Sequence, residues 1–295
     1  MSKVDVCINV YGKIYQTLVT IKSLLLHSGD LIDKIYFIEE AKQPETFNLD
    51  FIKSELNYDN IIYYKPKHFL WINATDINRV RDDIDYRLSL RYQYGIENTD
   101  KKYLLIIHND VLFTDNIVKA YLEQVDGYAG IGQIGQCWNC PINHDELCNG
   151  DKYDSYNPTY SEVINLINKY PNTRTYTQCR NSIDKINPMP LPECRLNEMH
   201  CLIDMDVYRK EVVPNGDVVP FGGYFKLDLA DEWFRQLVLK GYKFKNVDVL
   251  KWCFHSYFNV DRSGGHPSLL NDKIYHRDEQ LARIYYNTEF KNIKK

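Results

Sequence analysis

The stretch "YLLIIHNDVLFTDN", residues 103–116, decides the fold. Its five leading residues are apolar or aromatic and read as a strand buried on both faces. The run stops at His108, Asn109 and Asp110, with a turn and a fresh helix expected directly behind. A carboxylate ending such a strand either satisfies nearby backbone N–H groups or holds a ligand. The flanking sequence sets the frame in which to weigh the two.

On the N-terminal side, "VDVCINV" (residues 4–10) reads as a second buried strand, and "KIYQTLVTIKSLLLHSG" follows at helical spacing until Gly29 stops it. "IDKIYFIEE" supplies a strand ending on Glu39 and Glu40, and "NIIYYKP" another ending at Pro66. Residues 76–98, "DINRVRDDIDYRLSLRYQYGIEN", read as helical with Asp76 as N-cap. Beyond the opening stretch, "TDNIVKAYLEQV" reads as an amphipathic helix capped by Thr114 or Asp115. Strand alternating with helix predicts an α/β fold, a mostly parallel central sheet with helices on both faces.

Residues 137–198 change character: cysteine, proline, asparagine and tyrosine accumulate, and only "SEVINLINKY" is regular. They read as an irregular Cys-rich insertion, not a second domain with its own core. Periodicity returns with "EMHCLIDMDVYRKEV", a strand running into a helix, then "FKLDLADEWFRQLVLKGYKF", a helix ended by Gly241, and "NVDVLKWCFHSYF", a last strand pair. The expected organisation is one domain over residues 1–256 and a tail over 257–295 with a helix packed on it.

A chain of 295 residues buries a substantial core without help. Its net charge is −4 and its lysines are scattered, which argues against a nucleic-acid groove or an anionic membrane surface. No signal segment opens it and no run approaches about 18 apolar residues, so a soluble, cytoplasmic protein without a transmembrane segment is expected. "GIGQIG" (residues 130–135) matches a dinucleotide fingerprint, but Pro141 follows too soon for the helix that motif needs. A P-loop ending and a Ser nucleophile elbow are both missing from the sequence.

In open α/β sheets, ligands sit outside the carboxyl ends of the strands. Four such ends are polar here: Asn9 to Gly12, Glu39 and Glu40, His108 to Asp110, and His255. Separately, "CWNC" (Cys137 and Cys140) with Cys148, Cys179 and Cys194 has some zinc-ligand character, which would clip the insertion with a structural Zn2+; separately buried thiols are the alternative.

With these residues in view, the chain resembles the nucleotide-sugar-dependent glycosyltransferases of the GT-A fold, family 2 type, over roughly residues 3–125 and 198–256. "VDVCINVYGKIYQTLVTIKSLL" looks like that family's opening strand and helix. "LRYQYGIENTDKKYLLIIHND" looks like its Arg-x-x-x-Gly helix leading to the D-x-D strand, with His108 where the first Asp usually stands.

The resemblance implies that Tyr11 borders the base, that Glu39 or Glu40 contacts base or ribose, and that Arg91, His108 and Asn109 lie by the nucleotide. It implies Asp110 as metal ligand, joined by His255, with Mn2+ favoured over Mg2+ by the nitrogen ligand. "LADEWFRQLVLKGYKF" resembles the family's Glu-Asp motif, which makes Asp231 or Glu232 the base of an inverting transfer. Gly222 and Gly223 would line the acceptor loop. The implied activity moves a sugar from a nucleotide-diphosphate donor, a UDP-sugar by expectation, to a glycan or glycolipid hydroxyl. A GT-A-like protein that binds nucleotide or glycan without transfer is the alternative.

Overall fold

The computed structural model describes residues 2–70, 73–259 and 271–291. Strands β1 (Val4–Val10), β2 (Ile32–Glu39), β3 (Ile61–Tyr64), β4 (Tyr103–Ile107), β7 (Leu196–Asp204), β6 (Gly130–Ile134) and β8 (Phe244–Asn246) form one seven-stranded sheet in the order β3-β2-β1-β4-β7-β6-β8. Pairing is parallel except at β7, which runs antiparallel to β4 and β6. Two further strands, β5 (Val111–Phe113) and β9 (Cys253–His255), pair with each other as a separate two-stranded ribbon. This is the expected α/β class with a mostly parallel central sheet.

Strand alternation divides the core between the two faces. Val4, Val6, Ile8 and Val10 of β1 pack against helices α1 (Ile14–Ser28), α2 (Leu49–Leu56) and α6 (Ile117–Leu122). Cys7 and the β2 residues Tyr36 and Ile38 face the other way. They meet the short helices α3 (Ile77–Asp82), α4 (Ile84–Arg87) and α5 (Gln93–Asn98), and beyond them α8 (Met205–Glu211) and α9 (Asp231–Leu239).

Residues 76–98 are therefore three helices, where one was expected. Asp76 does cap the first, accepting from Asn78 N and Arg79 N. Asp83, however, is extended and caps a second helix through Tyr86 N, and Tyr92 takes a left-handed conformation ahead of the third. Gly95 lets α5 approach β1: a Cβ there would meet Cys7 Sγ at 2.5 Å.

The opening stretch also differs from expectation behind Asp110. Residues 111–113 form β5 before any helix starts, and Asn116 is the cap, accepting from Lys119 N. Gly130–Ile134 of "GIGQIG" form strand β6, and a single 3-10 turn at Cys137–Asn139 follows in place of the α-helix that a dinucleotide motif needs.

Within residues 137–198, α7 (Tyr160–Lys169) begins with a capping box between Thr159 and Glu162 and packs Val163 and Ile167 into a small cluster with Ile142 and Leu191. Among the described residues no helix is long and apolar enough to cross a membrane. Of the tail, residues 260–270 and 292–295 lie outside the described residues. The tail helix α10 (Asp272–Tyr286) packs on α1 and puts Ala282 and Tyr286 into the first core. Its Glu279 accepts from Tyr15 N and Gln16 N, closing the exposed amides at the start of α1.

Candidate metal and nucleotide site

Parallel register aligns the carboxyl ends of three strands. Val10 of β1 stands opposite Glu39 of β2, and Ile8 opposite Ile107 of β4, so the loops after Val10, Glu39 and Ile107 leave the sheet side by side. His108 to Asp110 lie at the centre of that edge.

His255 reaches the same place by the β5–β9 ribbon, in which Val111 is the partner of His255 and Ser256 N donates to the Asp110 carbonyl. The ribbon is anchored on α1. Thr20 Oγ1 and Ser23 Oγ accept from Val111 N and Phe113 N, and Asn109 Nδ2 donates to Thr17 Oγ1. A polar row at i, i+3 and i+6 on an otherwise apolar helix face does this work. Asn109 is thus spent on α1.

His108 Nδ1 lies 3.2 Å from His255 Nε2, and Asp110 Oδ1 lies 3.3 Å from His255 Nε2 and 3.9 Å from His108 Nδ1. Among the described residues these three form the one group of three or more His, Cys, Asp or Glu side chains whose ligand atoms converge as a cation requires. Asp110 Oδ1 is buried without a hydrogen bond. Burial lowers the His108 pKa to about 3, with His255 adding to the effect, so the ring is neutral and its lone pair free to ligate. Burial alone would raise the Asp110 carboxyl, but Lys13 and His255 hold it well below the usual carboxylate range. A pair of imidazoles with one ionised carboxylate oxygen suits a divalent transition ion better than Mg2+.

Lys13 was not expected here. Its Nζ is 2.7 Å from Asp110 Oδ2, with both side chains buried, and Ser256 Oγ donates to the same oxygen at 3.2 Å. On the far side of His108, Nε2 faces Glu198 Oε1 at 3.7 Å. Glu198 in turn lies 3.5 Å from Arg195 Nε, and Arg195 NH2 donates to Asp228 Oδ2 at 2.9 Å. Burial pushes Glu198 up and Arg195 pulls it back, whereas Asp228 stays low because Arg195 and Arg174 outweigh its burial.

The other expected residues divide. Glu40 and Arg91 share one cleft with Gly222; Arg91 Nε is 3.4 Å from Glu40 Oε1, which also accepts from Asn9 Nδ2. Glu39, on the alternate face, pairs with Lys65. Tyr11 lies against Phe69. A Cβ on Gly222 would fall 1.9 Å from the Arg91 carbonyl, and one on Gly223 2.4 Å from the Phe225 ring.

Asp231 and Glu232 are not joined to the cation cluster by any hydrogen bond or ion pair among the described residues. The Asp231 carboxylate accepts from the amides of Leu227, Asp228 and Glu232, and so closes the turn into α9. Glu232 pairs with Lys226 and Arg235. Trp233 and Phe234 are core residues.

The zinc expectation finds no support. All eight cysteines are free thiols, and Cys137, Cys140, Cys148, Cys179 and Cys194 do not converge as a ligand group. Cys140 and Cys148 pack with Ile142 and Val163, and burial raises their thiols to about 12 and about 11, which disfavours the thiolate a metal needs.

No family model matches the chain, and no curated protein does. Among solved structures it is similar to a mannosyltransferase from Pyrobaculum calidifontis in complex with GDP-Man and Mn2+, at 9% identity over 94% of this chain and 62% of that one, with a TM-score of 0.48. It is similar to mouse xyloside xylosyltransferase 1 at 12% identity over 84% and 86%, TM-score 0.45. It is also similar to the galactosyltransferase LgtC with donor and acceptor sugar analogs, at 11% identity over 70% and 60%, TM-score 0.37. The chain spans about 60% of the length of LgtC. All three are glycosyltransferases.

Proposed function

We propose that this protein is a GT-A-type glycosyltransferase that uses a nucleotide-diphosphate sugar, a UDP-sugar in the first instance, and transfers to a hydroxyl of a glycan or glycolipid with inversion. The observation that carries the reading is the convergence of His108, Asp110 and His255 at the carboxyl edge of β4.

Those three residues would hold Mn2+, which supplies positive charge against the diphosphate as it departs. Glu40 and Arg91 share the neighbouring cleft, where an acid and a guanidinium suit a nucleoside's hydroxyls and phosphate. For the base we favour Asp228 over Asp231 and Glu232. It is ionised and partly exposed, and Arg195 and Glu198 stand between it and His108. The carboxylate would take the proton of the attacking hydroxyl, while Arg195 fixes its direction.

The test is a panel of UDP- and GDP-sugars assayed for nucleotide release with Mn2+, with Mg2+ and with chelator. Release by one or more donors that requires Mn2+ and is lost in Asp110→Ala supports the reading. Equal nucleotide affinity with and without the metal, unchanged in Asp110→Ala, sinks it.

A further inference from the structure

Lys13 raises a question that a cation site alone does not answer: why place a buried ammonium on the carboxylate that should bind the cation? The lysine is held there. It has φ 51° and ψ 54°, a left-handed conformation that a residue with a Cβ seldom adopts, directly after left-handed Gly12. Its N–H donates to Tyr275 Oη of α10 at 2.9 Å, and its carbonyl accepts from Thr17 N and Thr17 Oγ1 at 2.8 and 2.7 Å. The Nζ then lies 2.7 Å from Asp110 Oδ2, with side-chain exposures of 7% and 3%.

The carboxylate is thereby divided. Oδ2 is taken by Lys13 and Ser256, and Oδ1, without a hydrogen bond, faces the two imidazoles. The one carboxylate of the cluster is thus already balanced by the Lys13 ammonium. A divalent ion entering this buried place would leave it doubly positive, which burial makes costly unless an anion enters too.

We propose that Lys13 is a built-in counter-charge that makes cation uptake at His108, Asp110 and His255 conditional on a diphosphate group. The ammonium weakens the site for a bare metal ion and adds a second positive partner once a diphosphate arrives. Metal and anion therefore bind as a coupled pair, each strengthening the other by the same factor. The inference rests on the metal and diphosphate part of the proposed function, not on sugar transfer.

The experiment measures Mn2+ binding by electron paramagnetic resonance at fixed free Mn2+, with and without inorganic pyrophosphate, on the full chain and on Lys13→Met and Lys13→Arg. The native protein should bind Mn2+ about tenfold or more tightly with pyrophosphate present. Lys13→Met should bind Mn2+ alone about tenfold more tightly than the native protein, with the coupling reduced, while Lys13→Arg keeps the coupling. Unchanged or weaker affinity of Lys13→Met for Mn2+ alone overturns the proposal. Should that variant not fold, the native protein still decides, because equal Mn2+ affinity with and without pyrophosphate overturns it equally. A coupled protein that transfers no sugar would keep this inference and remove the proposed activity; transfer without coupling would do the reverse.

Discussion

His255 Nε2 lies 3.3 Å from Asp110 Oδ1, and a two-stranded ribbon outside the main sheet sets that spacing. Val111 stands opposite His255, so the residue after Asp110 fixes where a side chain 144 positions later must point. Removing either ligand should cost more than the ~10–100-fold in metal affinity typical of outer-shell partners. Asp110→Ala and His255→Ala should therefore lose Mn2+ binding by more than about 100-fold, and Glu198→Gln, which faces His108 from behind, by about 10- to 100-fold. A Mn2+ titration of the three variants checks the order, and a His255→Ala protein that binds as the native one does would refute the site.

Asp228 and Asp231 stand three residues apart and are held by different partners. Arg195 and Arg174 hold Asp228, and three backbone amides hold Asp231. Asp228→Asn should lower kcat by about 10²- to 10⁴-fold with donor affinity intact. Asp231→Asn should instead lose about 1–3 kcal/mol of stability, because the amides at the start of α9 lose a charged acceptor. Turnover and denaturant unfolding measured on both variants separate the roles. Loss of turnover only in Asp231→Asn, with stability unchanged, would restore that residue as the base.

The strands were legible because parallel strands buried on both faces read as apolar runs, and β1, β2 and β4 are such runs. Asp110 and His255 were legible as polar residues ending apolar stretches. Lys13, the ion-pair partner of Asp110, was not, since its place depends on a left-handed backbone that Tyr275, far along the chain, helps to hold. Residues 76–98 were misread as one helix because each Asp that caps a new helix also fits a helix's outer face. β5 hid behind Asp110 because three residues are too few to show a period. The signal that would have found the ribbon is the Thr17, Thr20, Ser23 row, whose buried hydroxyls demand backbone partners.

Gly222 matters through contact with Arg91. A methyl group there would press on the Arg91 carbonyl, which belongs to backbone and cannot swing aside. Gly222→Ala should cost about 1–3 kcal/mol and, by displacing Arg91, weaken nucleotide binding more than Gly223→Ala, whose nearest contact is the Phe225 side chain. Thermal unfolding and nucleotide titration of the two variants test the ranking.

Glu193 offers a pH test independent of the cation site. Both of its carboxyl oxygens are buried without a hydrogen bond. Burial lifts its pKa from 4.5 to about 7; Arg174 and Arg195 oppose that rise, and Asp228 and Asp231 reinforce it. The folded protein thus binds this proton more tightly than the unfolded chain. The stabilisation is fully present below the unfolded pKa, near 4.5, and is lost as pH rises through about 7. The difference amounts to about 3 kcal/mol at most. Glu193→Gln keeps the shape and removes the titration. Relative to that variant, the native protein should lose about 3 kcal/mol of stability between about pH 4.5 and pH 8, read by urea unfolding at each pH. Parallel pH profiles for the two proteins would mean that Glu193 titrates alike in the folded and unfolded states, the two arginines cancelling its burial.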